Sequence, residues 1–214
     1  FKSIEDQDWM AVWKQHYQLL KIGKKWLVLP AWINSDPSES RTIVRIDPAM
    51  AFGTGTHPTT QLCLLAIEDH LAPHQAVIDL GCGSGILAIA ALKAGASFAL
   101  ALDTDPLAVQ ATQRNAQLNQ VQSNLQVAQG SLVDILAGRF NLKQAPLVLA
   151  NILAPVLVSL FPQGLAQLLQ PNGRIVLSGI LENQADDVIS AGRVAGLELI
   201  QQYQAEDWLA LVMG

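Results

Sequence analysis

Short apolar runs alternate with longer amphipathic stretches from residue 58 to the end of the chain. Runs of four to seven mostly apolar residues predict strands, and stretches with apolar positions at helical spacing predict helices. The early strands are apolar throughout, which is typical of a parallel sheet covered by helices on both faces. The predicted strands are Ala76–Leu80, Phe98–Leu102, Asn124–Ala128, Leu147–Ala150, Arg174–Ser178, Leu197–Tyr203 and Trp208–Met213. The predicted helices are Ile86–Lys93, Pro106–Asn119, Val156–Leu169 and Asn183–Val194, with a further helix starting at Pro58.

The last two predicted strands are separated only by Gln204–Asp207. A connection between parallel strands needs about a dozen residues, so these two strands must form an antiparallel hairpin. The chain is therefore predicted to have an α/β fold of the Rossmann-like type. It should contain a seven-stranded, mostly parallel sheet with helices on both faces and a terminal antiparallel hairpin.

The front of the chain has a different pattern. A helix is predicted over Asp6–Leu20, followed by strands at Trp26–Ile33 and Thr42–Ile46, with residues 34–40 forming an exposed turn between them. We expect residues 1–57 to be a linker and N-terminal extension that includes a loop covering a ligand. Residues 58–214 are expected to form the main domain.

Composition narrows the class of protein. Half of the residues are hydrophobic and only 14% are charged, which excludes intrinsic disorder. The net charge is −5, with +2 on residues 1–45 and −7 on the rest, which argues against nucleic-acid binding. The longest apolar stretch, residues 147–161, is interrupted and too short to span a membrane. Two cysteines without a metal-binding or CxxC spacing predict a reducing, cytoplasmic location and no metal site.

Candidate chemistry begins with a glycine-rich loop. The segment Val77–Gly85 (VIDLGCGSG) runs from a predicted strand into the apolar helix at Ile86. Glycines at alternate positions permit a tight turn and leave room for a ligand over the N-terminus of that helix. A nucleotide-like ligand fits this pattern, and the alternative is a purely structural turn.

Asp103 ends the next predicted strand, 22 residues after Gly81. An acidic residue at this point accepts hydrogen bonds from ribose hydroxyls in doubly wound folds, because adjacent parallel strands end side by side. Asp105, immediately before Pro106, suits the helix N-cap better than Asp103 does. The ligand is either a nicotinamide dinucleotide or S-adenosylmethionine. The G-x-G-x-G spacing and the terminal hairpin resemble those of class I S-adenosylmethionine-dependent methyltransferases.

Asn151 follows the fourth predicted strand of the main domain, where ligands bind in open parallel sheets. Its amide offers both donors and an acceptor beside the transferable methyl group, and the alternative is an N-cap for the next helix. Upstream, the segment Asp47–Thr60 (DPAMAFGTGTHPTT) contains two glycines, Phe52 and His57. We expect this loop to cover the methionine end of the cofactor. His57 either accepts a proton or caps and packs against the helix at Pro58.

The loop Asp47–Thr60, the segment Cys82–Ala91 (CGSGILAIAA) and the segment Asn151–Ala154 (NILA) resemble the ribosomal protein L11 methyltransferases, the PrmA family. The resemblance runs from about Asp8 to the C-terminus. It implies S-adenosylmethionine as cofactor and amino groups of ribosomal protein L11, on lysine side chains and at the N-terminus, as the methylated sites. It also implies a small N-terminal domain for substrate recognition, which we expect to be absent from this sequence. The residues implied to contact the cofactor are Thr60, Gly81, Asp103 and Asn151, with Phe52, Thr56 and Gly83 close by.

Three alternatives stay open on the sequence. The first is a methyltransferase that acts on another protein or on a small-molecule amine, the second is an NAD-dependent oxidoreductase, and the third is a binding module without catalysis. Equilibrium binding of NADH against S-adenosylmethionine separates the second alternative from the others.

Overall fold

The computed structural model describes residues 19–33, 38–47 and 54–214. In this part of the chain the strands form two sheets, one of three strands and one of seven. No helix among the described residues is both long enough and apolar enough to cross a bilayer.

The three-stranded sheet consists of β1 (Leu20–Ile22), β2 (Trp26–Pro30) and β3 (Thr42–Ile46). β1 and β2 are antiparallel, whereas β2 and β3 are parallel. Every residue of β2 is buried, and Trp26 donates its Nε1–H to the carbonyl of Leu64 at 2.8 Å. This small sheet is therefore packed into the main core.

Two predictions for the front of the chain need correction. The strand predicted over Trp26–Ile33 ends at Pro30. Residues 6–18 of the helix predicted over Asp6–Leu20 lie outside the described residues, and Leu20 begins β1 instead of ending a helix. Leu20 pairs with Val28 in the sheet. This strand pairing determines its structure, although the spacing of the apolar residues before it is helical.

The seven-stranded sheet confirms the predicted fold class. Its strands are β4 (Ala76–Leu80), β5 (Phe98–Asp103), β6 (Leu125–Gln129), β7 (Ala145–Asn151), β8 (Leu169–Leu181), β9 (Leu199–Ala205) and β10 (Trp208–Met213). Their order is β6-β5-β4-β7-β8-β10-β9. β10 is antiparallel to both of its neighbours, and β4 to β8 are mutually parallel. The terminal hairpin is thus the predicted one.

Six α-helices cover this sheet in the described part of the chain. They are α1 (Pro58–His70), α2 (Ile86–Lys93), α3 (Pro106–Leu118), α4 (Leu132–Leu136), α5 (Ala154–Leu160) and α6 (Ala185–Val194). Helices α1, α2 and α3 contribute to one apolar cluster, and α4, α5 and α6 contribute to a second cluster on the other face. Within β4, Val77 belongs to the first cluster and Ile78 to the second, as expected from the alternation of side chains along a strand.

The helix predicted over Val156–Leu169 is wrong in its second half. The α-helix begins at Ala154, with Pro155 in its first turn, and ends at Leu160. Pro162 has no N–H to donate to the preceding turn, and Gly164 adopts a left-handed φ of 104°, so the chain turns here. A short 3₁₀ turn covers Leu165–Leu168 before β8 begins.

Other boundaries differ in smaller ways. β8 is much longer than the predicted Arg174–Ser178, because it pairs with β7 on one side and β10 on the other. β1 and α4 are only three and five residues long and were not predicted. The division of the chain at residue 57 stays a prediction.

Candidate active site

The glycine-rich loop connects β4 to α2 in a conformation that requires glycine. Gly81, Gly83 and Gly85 have φ values of 74°, 54° and 79°, in the left-handed region. A Cβ added at Gly81 would lie 2.6 Å from Cγ2 of Ile152, and one added at Gly85 would lie 2.6 Å from Cγ2 of Thr112. The backbone conformation therefore favours glycine at all three positions, and close packing leaves no room for a side chain at Gly81 and Gly85.

Asp103 lies beside this loop at the end of β5. Its Oδ2 accepts the N–H of Gly83 at 2.9 Å, and its Oδ1 accepts the N–H of Asp105 at 3.0 Å. Asp105 in turn caps α3 by accepting the N–H of Leu107 at 2.8 Å, as predicted. Asp103 thus joins the ends of β4 and β5, the position that the sequence assigned to a ribose ligand.

A cavity of about 320 Å³ opens over these strand ends. Its volume lies at the lower end of the range of small-molecule sites, about 300 to 1,000 Å³. Backbone of the glycine loop, the carboxylate of Asp103 and the apolar side chains of Leu132 and Val156 form its walls. We call it the cofactor cavity. It fits a ligand that has both a hydrogen-bonding part and an apolar part.

Asn151 ends β7 and lines the cofactor cavity as well as a second cavity of about 440 Å³. Its Nδ2 donates to Oγ1 of the buried Thr60 at 3.4 Å, and no described residue donates to its Oδ1. Asn151 does not cap the helix that follows, since Leu153 occupies the N-cap position of α5. Its amide is therefore available at the boundary between the two cavities.

The second cavity, which we call the acceptor cavity, is mostly apolar. Its lining residues are His57, Thr59, Asn151, Ile152, Leu153, Gly179 and Trp208. The rings of His57 and Trp208 meet edge to face, with centroids 4.8 Å apart and an angle of 70° between their planes. None of these lining residues is acidic, so the described walls offer no carboxylate to a protonated amine.

His57 has a defined structural role at this cavity. Its Nδ1 accepts the N–H of Thr59 at 3.3 Å, which caps α1, and lies 2.8 Å from Oγ1 of the same threonine. The capping alternative for His57 is thus present in the structure. The same imidazole borders the acceptor cavity, so its second predicted role, as a proton acceptor, stays a prediction.

The other residues predicted to lie near the cofactor are Thr60, Thr56 and Phe52, and the first two differ in burial. Thr60 is fully buried beside Asn151. Thr56 is exposed, and its Oγ1 lies 2.9 Å from Oγ1 of Thr54. Phe52 lies outside the described residues.

Asp79, a buried carboxylate one residue before the end of β4, was not predicted as a site residue from the sequence. Its Oδ2 accepts the N–H of Ala88 at 3.1 Å, while its Oδ1 has no partner in the described part of the chain. Burial raises the pKa of Asp79 from 3.8 to about 7, and the nearby carboxylate of Asp103 adds to this effect. Its position as the one charged residue in the apolar segment Ala76–Leu80 could have identified Asp79 from the sequence.

We expect Asp79 to make stability depend on pH. Between about pH 4 and 7 the folded state binds a proton that the unfolded state has released, so the free energy of unfolding falls as pH rises. A shift of this size corresponds to about 4 kcal/mol across that window. Asp79→Asn should remove this slope in urea unfolding measured from pH 4 to 8. Asp186→Asn, at an exposed site in α6, is the matched control and should keep it; equal slopes in all three proteins would refute the assignment.

Gly81→Ala should destabilise the protein more than the same change at a roomy glycine. Gly81 and Gly196 both have left-handed φ values, 74° and 88°, but a Cβ at Gly196 meets nothing within 4 Å. The backbone strain of about 1 kcal/mol is common to both substitutions, and the contact with Ile152 adds to it only at Gly81. Chemical denaturation of the two variants measures the difference. Equal losses would mean that Ile152 moves aside freely.

Fold and site together define a class: Rossmann-like methyltransferases with a seven-stranded sheet and a reversed β10. A structure named as a candidate methyltransferase complexed with SAH shares this fold, at 14% identity and a TM-score of 0.62 over 74% of this chain and 50% of that one. Within the class, the chain belongs to the ribosomal protein L11 methyltransferase (PrmA) family, which it matches over residues 1–214.

Two relatives illustrate the similarity. The ribosomal protein L11 methyltransferase of Chloroflexus aurantiacus is 41% identical over 230 aligned residues, covering 99% of this chain and 70% of that protein. A crystal structure of ribosomal protein L11 methylase from Lactobacillus delbrueckii subsp. bulgaricus is 33% identical, with a TM-score of 0.81. The match covers 92% of this chain and 98% of the Lactobacillus chain. Family membership confirms the resemblance drawn from the three sequence segments.

Proposed function

We propose that this chain transfers methyl groups from S-adenosylmethionine to amino groups of ribosomal protein L11, on lysine side chains and at the N-terminal α-amine. The single observation that supports this best is the position of Asn151, which lines both the cofactor cavity and the acceptor cavity. Methyl transfer needs a donor site and an acceptor site that meet at one point. The family and its named relatives supply the substrate.

The residues around the cofactor cavity fit S-adenosylmethionine. The carboxylate of Asp103 suits the ribose hydroxyls, and the side-chain-free backbone of Gly81 and Gly83 permits close approach of the ligand. Thr60, which bonds Asn151, and Thr56 and Phe52 from the preceding loop complete the proposed cofactor-binding set. When bound, S-adenosylmethionine supplies an activated methyl group on a sulfonium.

The acceptor cavity has to select an unprotonated amine. A lysine with a pKa near 10.4 is neutral only about once in a few thousand molecules at pH 7, and an α-amine near 7.8 is neutral about one-seventh of the time. An apolar cavity without acidic lining residues favours the neutral form. Oδ1 of Asn151 accepts an N–H of that amine and directs its lone pair towards the cofactor cavity. In this way the protein aligns the reactants and excludes water.

Partners and location follow from the same proposal. With a ribosomal protein as its substrate, the enzyme is expected to work in the cytoplasm. The net charge of −5 does not favour direct binding of nucleic acid. Family membership favours methyl transfer over the NAD-dependent oxidoreduction that the glycine loop also permits.

Two measurements test the proposed function. Calorimetry should show binding of S-adenosylmethionine and no comparable binding of NADH. Incubation of the complete protein with labelled S-adenosylmethionine and ribosomal protein L11, followed by mass spectrometry, should locate label on amino groups of L11. Label appearing only on another protein or on a small amine would redirect the substrate assignment, and preferential NADH binding would reject methyl transfer.

A further inference from the structure

Helix α3 and its C-cap residue carry a buried polar stripe formed by Thr112, Asn115 and Asn119. These side chains are only 0%, 1% and 6% exposed, and their spacing of three and four residues puts them on one face of the helix. Buried polar groups are stable only when hydrogen-bonded, so their partners reveal what the stripe holds in place.

Two members of this polar stripe hold the glycine-rich loop. Oγ1 of Thr112 donates to the carbonyl of Gly83 at 2.9 Å, and Nδ2 of Asn115 donates to the carbonyl of Ser84 at 2.8 Å. These are consecutive carbonyl groups of the segment that lines the cofactor cavity. Because Gly83 has no side chain, main-chain hydrogen bonds alone can fix its peptide groups.

The same stripe holds the end of β3. Oδ1 of Asn115 accepts the N–H of Asp47 at 2.9 Å, and Oδ1 of Asn119 accepts the N–H of Arg45 at 2.8 Å. Asn119 also donates to the carbonyl of Arg45. Asn115 therefore bridges two separate segments, the glycine-rich loop and the first residue of the Asp47–Thr60 loop. Among the described residues, the side chain of Asn119 forms hydrogen bonds to β3 and to its own helix.

Gly83 is consequently held from two sides. Its N–H is bonded to the carboxylate of Asp103, and its carbonyl is bonded to Thr112. The N–H belongs to the peptide between Cys82 and Gly83, and the carbonyl belongs to the peptide between Gly83 and Ser84. Both planar peptides that flank the Cα of Gly83 are therefore anchored, so the loop is ordered before a ligand arrives. Because the loop is already ordered, ligand binding does not carry the entropic cost of ordering it, and the affinity is correspondingly higher.

We propose that Thr112 and Asn115 are positioning residues for the cofactor: they hold the glycine-rich loop in its binding conformation without touching the ligand themselves. This inference rests on the proposed function, because it takes the loop to bind S-adenosylmethionine. The role is distinct from that of Asp103, which lines the cofactor cavity directly.

The expected effect is on affinity for the cofactor. Losing one buried hydrogen bond of this kind changes an equilibrium by roughly five- to tenfold. Thr112→Val, which keeps the shape of the side chain and removes the hydroxyl, and Asn115→Ala should each raise the Kd for S-adenosylmethionine by about that factor. Thr112→Ser keeps the donor and should restore affinity to near that of the wild type.

Asn119→Ala is the matched control, because it removes buried hydrogen bonds from the same stripe without touching the glycine-rich loop. It should lower the melting temperature but leave the Kd unchanged. Calorimetric titrations with S-adenosylmethionine and S-adenosylhomocysteine are run at a temperature where circular dichroism shows all variants to be folded. In turnover, KM for the cofactor should rise in Thr112→Val and Asn115→Ala while KM for L11 stays constant.

The outcomes separate the two proposals. Unchanged affinity in Thr112→Val and Asn115→Ala, with a wild type that binds, overturns the positioning role alone. An equal loss in Asn119→Ala also overturns it, since the effect would then follow from general destabilisation. A folded wild-type protein that does not bind S-adenosylmethionine overturns the proposed function and this inference with it.

Discussion

Asn151→Ala should lower the rate of methyl transfer by about 100-fold or more while changing affinity for S-adenosylmethionine only a few-fold. The reason is the position of its amide at the boundary between the two cavities. Losing Oδ1 removes the group proposed to orient the acceptor amine at the moment of transfer, whereas Asp103 and the glycine-rich loop still line the cofactor cavity. Single-turnover kinetics with L11, together with calorimetry, measures the two effects separately.

Two further variants make this test specific. Asn183→Ala is the same substitution at an exposed position and should leave the rate unchanged. Thr60→Val removes the partner of Nδ2 at 3.4 Å and should lower the rate less than Asn151→Ala, because the amide itself remains. A turnover near that of the wild type in Asn151→Ala would remove this residue from the site, and a parallel loss of cofactor affinity would assign it to binding alone.

The parts of the fold that the sequence predicted are those encoded by neighbouring residues. β4, the glycine-rich loop and α2 lie consecutively in the chain, and the strand and helix have the predicted bounds. The hairpin followed from the length of one connection. The helix predicted over Val156–Leu169 was wrong only after Leu160, because Pro162 acts as a stop signal that the spacing of apolar residues does not reveal.

Some residues of the candidate site could likewise be predicted from the sequence, and others could not. Asp103 was found because parallel neighbouring strands end at one edge, so a spacing along the chain becomes a position in space. Trp208 and Asn115 were not found, since their importance depends on contacts with residues more than 30 positions away. Asn115 looks like an ordinary polar helix residue until its partners Ser84 and Asp47 are known.

Family resemblance and residue chemistry contribute different things to the assignment. Family membership identifies methyl transfer and names the substrate of the relatives. The structure shows how the work is divided among the described residues: Asp103 and the glycine-rich loop bound one cavity, and His57 and Trp208 bound the other. Asn151 lies at the boundary of both and is proposed to act on the acceptor amine. Its substitution should therefore lower the rate at saturating cofactor, whereas that of Asp103 should raise the Kd for the cofactor.

Asp103→Ala should weaken binding of S-adenosylmethionine by about 10- to 100-fold, the effect of losing a charged hydrogen-bond acceptor. The carboxylate has two functions here: it lines the cofactor cavity, and it accepts the N–H of Gly83 at 2.9 Å. Removing it takes away the proposed ribose ligand and one of the two bonds that fix Gly83. Calorimetry measures the Kd, and turnover at saturating cofactor should recover most of the wild-type rate.

Asp105→Ala is the matched control for Asp103→Ala. Asp105 caps α3 through Leu107, so its loss should cost about 1 kcal/mol of stability and leave the Kd unchanged. Asp103→Asn keeps the size of the side chain and an oxygen for one N–H, so it should fall between Asp103→Ala and the wild type. If Asp103→Ala binds S-adenosylmethionine as tightly as the wild type, the ribose assignment is wrong, because the loss of a side chain that bonds the ribose has to weaken binding.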